Sequence, residues 1–101
     1  MDWNSLSNTQ INHEIGKRIK QYRLQKRITQ KEVAEKAGIS LFTVSNIEKG
    51  NNISLHLLIA VLRVLKLVNN FEQLLPEIEI SPVQILKLKG NTPKRVKKSK
   101  F

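Results

Sequence analysis

Cysteine is absent from this 101-residue chain. That excludes a disulfide framework, a thiol nucleophile and any cysteine-ligated metal site. Histidine is scarce as well. His13 and His56 stand far apart in sequence, and a metal site needs three or four converging ligands, so neither a metal nor another cofactor is expected. Aromatic residues make up only 5% of the chain, too few for a surface that stacks single-stranded bases. Long apolar runs are also missing. The stretch from Leu55 to Leu67 is interrupted by Arg63 and Lys66 and falls short of the ~18 residues that a membrane span needs. Met1 to Gln10 is polar and lacks the apolar core of a signal peptide. The expectation is a cytoplasmic protein without membrane contact. There is no phosphate loop, and the acidic residues fall on separate predicted helices, so no enzyme is expected.

Negative charge is the next shortage. There are 8 acidic residues against 18 basic ones, a net charge of +10. The excess is uneven. Lys87, Lys89, Lys94, Arg95, Lys97, Lys98 and Lys100 crowd the last stretch, where no acidic residue occurs. A basic tail on a mildly basic globule suits a polyanion. The length allows one small domain with a modest core, which dimerisation would help.

The densest local signals lie between Thr29 and Gly50. Val33, Ala34 and Ala37 recur at helical spacing, so Gln30 to Lys36 is predicted as a helix with one apolar face. Thr29 and Glu32 have the spacing of a capping box. Gly38 suits a left-handed helix end, and Ser40 can cap the next helix. In that helix, predicted over Leu41 to Lys49, Leu41, Val44 and Ile47 face inward at three-residue spacing. Ala34 is small where the two helices must cross. Two short helices joined in this way make a helix-turn-helix unit, whose second helix can enter the major groove of DNA.

The residues Thr29-Gln30, Glu32-Val33-Ala34, Gly38-Ile39-Ser40 and Thr43 through Gly50 resemble those of the Cro/C1-type (Xre) helix-turn-helix regulators. The similarity runs from about Ile15 to Leu75. It implies an all-α fold: a compact bundle of about five helices, the lambda repressor-like DNA-binding domain, with a short extra C-terminal segment and a basic tail. It also implies double-stranded DNA as partner, a homodimer, and a repressor that reads a palindromic operator.

Site residues follow from that resemblance. Base contacts fall to Ser40, Leu41, Phe42, Ser45 and Asn46. Asn46 is the best direct reader, because one amide can bond adenine N6 and N7 together. Leu41 and Phe42 depart from the polar residues common there. Leu41 either touches thymine methyls or turns inward, and Phe42 either touches a methyl or packs structurally. Phosphate contacts fall to Gln30, Lys31, Thr43, Lys49 and Asn51, which set register and carry no sequence information. Gln30 is also expected to brace the recognition helix. Arg23 and Glu48 are implied to form a structural ion pair that clamps the first helix to the third.

The remaining elements follow in order. Residues 1–10 are expected to be a flexible N-terminus, with Trp3 and Leu6 its large apolar groups, and 11–76 the DNA-binding domain. Ile11, Ile15, Ile19 and Tyr22 predict a first helix from Ile11 to Lys26 with a narrow apolar stripe. Ser54 caps a fourth helix whose main face is Leu55, Leu58, Ile59, Leu62 and Leu65. Asn69 and Asn70 cap a fifth, ended by Pro76. Residues 77–90 form a C-terminal extension. Ile78 and Ile80 give a strand signal there, and Ser81-Pro82 resembles a helix start. Residues 91–101, with Lys94, Arg95, Lys97, Lys98 and Lys100, are too charged to fold alone and are read as a disordered arm along DNA. The extension and tail also look like those of HipB-like antitoxins. The alternative function is therefore an antitoxin that binds and restrains a HipA-like kinase toxin.

Overall fold

Four helix starts obey one rule and four helix ends obey another. The computed structural model describes residues 1–79 and 81–83. Helix α1 spans Asn8–Gln25, α2 Gln30–Ala37, α3 Leu41–Glu48, α4 Leu55–Val64 and α5 Phe71–Leu74. Short 3-10 turns cover Trp3–Ser5 and Val68–Asn70, and no strand occurs among the described residues. Ser7, Thr29, Ser40 and Ser54 cap α1 to α4, each accepting the third backbone N–H of its helix. A cap of this kind is worth roughly 0.5–2 kcal/mol. Each of the same helices ends on a left-handed residue: Arg27, Gly38, Gly50 and Lys66. The amide that follows bonds back five residues, from Ile28, Ile39, Asn51 and Leu67 to Arg23, Ala34, Asn46 and Leu62. Carbonyls that the helix end would leave unpaired are satisfied in this way.

One compact unit spans Met1–Phe71, and a second begins at Glu72. The core of the first is Ile19 of α1, Val33 and Ala34 of α2, Val44 and Ile47 of α3, Val61 of α4 and Leu65. Ile28, Ile39, Ile53, Leu58, Leu62, Val64 and Leu67 pack around it, half-buried. Ala34 is buried between the helices, as its size suggests.

Several expectations need correction. α1 begins at Asn8, three residues before Ile11, because Ser7 and Gln10 form a complete capping box. Its buried face shares only Ile19 with the predicted apolar stripe. Gly16, Ile19 and Arg23 are buried, while Ile15 and Tyr22 are exposed. Asp2 caps the Trp3–Ser5 turn, and the Arg18 guanidinium stands 4.8 Å from the Trp3 ring centroid. Arg18 also pairs with Glu14 one turn back. Leu55 was expected on the inner face of α4 but is 65% exposed, since it opens the helix beyond the edge of the core. Asn69 and Asn70 lie within a 3-10 turn and do not cap α5 with their side chains.

In the second unit, residues 76–79 form no regular element, so the strand signal has no counterpart there. Pro82 and Val83 are helical, in keeping with a start at Ser81. Ile80 and residues 84–101, including the basic tail, lie outside the described residues.

Candidate nucleic-acid interface

Helix α3 is fixed by its inner face. Val44 is fully buried and Ile47 nearly so, and both meet α2 and α4 residues in the core. Its far end rests against α1 at backbone distance. A Cβ built on Gly16 would lie 2.5 Å from the Ile47 carbonyl oxygen and 2.8 Å from that of Glu48. A Cβ on Gly50, which has φ +82°, would lie 2.7 Å from His13 Cα. These two glycines let α1 and the end of α3 touch without a side chain between them.

Two turns along α1 from Gly16, Arg23 reaches the same end of α3. Its Nε donates to Glu48 Oε2 at 2.6 Å and its Nη2 to Oε1 at 3.1 Å. Its Nη1 donates to the Ile28 carbonyl oxygen at 2.9 Å, holding the loop before α2. The Gln30 amide nitrogen adds a bond to Glu48 Oε1 at 3.0 Å. The side chains of Arg23 and Glu48 are only 9% and 3% exposed. The fork of a guanidinium matches a carboxylate in two parallel bonds, and here α1, α2 and α3 converge on one carboxylate. No buried side-chain polar atom lacks a partner among the described residues.

The opposite end of α3 is open. Leu41 is 48% and Phe42 74% exposed, so Leu41 does not turn inward with Val44 and Ile47. The reason is geometric: only the last two of the three spaced positions lie over the core. Ser40 Oγ accepts the Thr43 N–H at 3.0 Å and bonds the Thr43 hydroxyl at 2.8 Å. One turn on, Ser45 and Asn46 are half-buried. Asn46 Oδ1 accepts from Asn51 Nδ2 at 2.9 Å, and the Asn51 backbone N–H donates to the Asn46 carbonyl oxygen. The turn after α3 therefore orients the Asn46 amide. Asn52, its neighbour, accepts from Asn12 of α1 at 2.8 Å.

The site residues expected from the sequence thus fall on two short elements and a turn. Ser40, Leu41, Phe42, Thr43, Ser45, Asn46 and Lys49 lie along α3 and its caps. Gln30 and Lys31 lie in the first turn of α2, and Asn51 in the turn beyond Gly50. Lys31, Lys49 and Asn51 are exposed. Gln30 bonds Glu48 and so braces α3 directly. Gly16, which lets α1 approach α3, was missed by sequence reasoning. Its only signal was a glycine inside an otherwise helical run, a pattern that often marks close packing.

Among the described residues, no three histidines or acidic side chains gather as a metal site would require. No helix among them is long and apolar enough to cross a membrane. A family model described as helix-turn-helix matches residues 19–69, half of the chain. No curated protein matches it.

Proposed function

Because the chain belongs to the Cro/C1-type helix-turn-helix family, a DNA-binding class of transcription regulators, we propose that it is a dimeric repressor. It reads a palindromic operator by laying α3 in the major groove. The observation that carries this reading is the asymmetry of α3: one face is locked into the core while Leu41 and Phe42 project outward. A helix held in this way presents its first turns to base edges. Ser40, Leu41, Phe42, Ser45 and Asn46 face the bases. Gln30, Lys31, Thr43, Lys49 and Asn51 contact phosphates on either side, fixing register. Two such units on one dimer read half-sites about one helical turn apart. Occupation of the operator excludes polymerase.

The test is selection of bound sites from random duplex DNA at near-physiological salt. An enriched palindrome supports a specific dimeric regulator. Salt-sensitive binding without any enriched sequence rejects it, and pull-downs for a kinase would then test the antitoxin alternative. The tail bears on affinity rather than specificity. Deleting residues 91–101 should flatten the salt dependence by roughly 0.9 in slope for each phosphate that the tail neutralises. An unchanged slope means that Lys94, Arg95, Lys97, Lys98 and Lys100 do not touch DNA.

A further inference from the structure

The first turn of α3 combines unusual exposure with an unusual composition. Among the described residues Phe42 is the most exposed aromatic side chain, and Leu41 stands beside it. Between Leu41 and Glu48 there is no arginine, lysine or glutamine. The commonest guanine contact, a basic side chain on O6 and N7, therefore has no donor along this helix.

The polar groups that α3 does carry are partly committed. The Ser40 hydroxyl is engaged with the Thr43 amide and hydroxyl. Asn46 is the one side-chain amide on α3, and its Oδ1 already accepts from Asn51. A carbonyl oxygen has a second lone pair, and the Asn46 nitrogen carries two donors. That combination still matches adenine, whose N6 donates and whose N7 accepts. Guanine, which offers acceptors alone at N7 and O6, can use the Asn46 nitrogen but leaves its oxygen without a partner on the base.

Exposed Leu41 and Phe42 side chains need an apolar counterpart in a groove that is otherwise polar. The major groove offers one such group, the C5-methyl of thymine. Resting on the reading of α3 as the helix in the major groove, we propose that Leu41 and Phe42 read thymine methyl groups. With Asn46 on adenine, they confine the centre of each half-site to A·T pairs.

Uracil isolates the methyl, because it keeps the O4 acceptor and the pairing edge of thymine and lacks only that group. The experiment uses the full chain and its Leu41→Ala and Phe42→Ala variants. Duplexes are first selected by the wild type from a random core, then remade with uracil for thymine at one position at a time. Both side chains are exposed, so the variants should melt as the wild type does, which circular dichroism checks. The expected core is A·T under α3. One uracil should weaken wild-type binding about fourfold, the worth of one buried methyl-sized group. The same exchange should cost nothing in the variant that lacks the matching side chain. A G·C core, or uracil duplexes bound as tightly as thymine ones, overturns the methyl reading and leaves an enriched palindrome standing. Exposure of Phe42 for a protein partner would give that second result. Absence of any enriched sequence overturns this inference together with the repressor reading.

Discussion

The last turn of α3 is gripped by two other helices, whereas its start, ahead of buried Val44, is tied down by one serine hydroxyl. At the gripped end, Gly16 brings α1 to backbone distance, Arg23 and Gln30 bond Glu48, and Ile47 is buried. At the other end, Ser40 caps the helix and Leu41 and Phe42 stand in solvent. The difference separates two tasks. Stability and orientation come from the gripped end, so residues at the open end carry little of the folding energy. They can then be chosen for what they touch on DNA. Changes at the two ends should accordingly fail in different assays.

The largest effect is expected from the grip itself. Arg23→Ala leaves Glu48 buried with most of its charge uncompensated and should cost roughly 3–5 kcal/mol in urea denaturation. A domain of this size has a total stability of only about 5–15 kcal/mol, so the variant sits near unfolding and loses DNA binding with it. Arg23→Lys should recover only part, since an ammonium cannot serve both Glu48 oxygens and the Ile28 carbonyl in one plane. A loss below about 1 kcal/mol would class the pair with exposed ion pairs and remove the basis for the comparison.

One turn beyond the open end, on the side of α3 that faces DNA in the proposed reading, Asn46→Ala should cost roughly 1–3 kcal/mol of operator affinity. Binding to a scrambled duplex and resistance to urea should stay nearly unchanged. Equal losses on operator and scrambled DNA would mean that Asn46 does not read a base. A fall in stability would mean that Asn46 belongs to the grip as well. Gly16→Ala probes the grip again, without touching charge. At an exposed helical position alanine gains about 1 kcal/mol over glycine. Here its Cβ meets the backbone of Ile47 and Glu48, and overpacking of this kind costs about 1–3 kcal/mol. A stabilised variant would show that α1 can shift away from α3 at no cost.

The two ends also differ in how readily the sequence discloses them. Thr29, Glu32, Gly38 and Ser40 are short-range signals, and each sits where its spacing places it, so α2, the turn and α3 were legible. The family resemblance points the same way, and the match over residues 19–69 agrees with it. The grip was harder to see. Hydrophobic spacing along α1 follows Ile11, Ile15, Ile19 and Tyr22, but beside Ile19 the buried face carries a glycine and an arginine, Gly16 and Arg23. Apolar periodicity has no means of ranking either as core. Arg23 could be placed only through the family, and Gly16 was not placed at all. The Ser7–Gln10 box, by contrast, was present as a readable pattern, and reading it would have moved the start of α1 to Asn8. The ends of α1 and α4 lacked any signal, because Arg27 and Lys66 adopt the left-handed conformation that usually marks glycine. Whether Phe42 packs or projects depends on where α3 lies over the core, which no local pattern fixes.

The smallest effect tests the grip through the cap of α2. Glu32 accepts the Thr29 backbone N–H at 2.8 Å. That bond, with a second one involving the Thr29 side chain, holds the Glu32 carboxyl below its usual range, and Lys36 adds a weaker pull in the same direction. A carboxyl depressed by folding stabilises fully above its unfolded pKa, about 4.3, and loses that contribution as pH falls through its folded value. The cap of α1 supplies the contrast, since Gln10 makes the same backbone bond from Ser7 without a titratable group. Glu32→Gln copies that arrangement and keeps the box. Its urea midpoint should therefore fall less than that of the wild type between pH 5 and pH 3. Because Glu32 is exposed, the divergence should be slight beside the loss expected for Arg23→Ala. Parallel midpoints across that range would show that the Thr29 box contributes through geometry alone. A divergence would show that the charge of Glu32, and not the geometry of the box alone, helps to hold the first turn of α2.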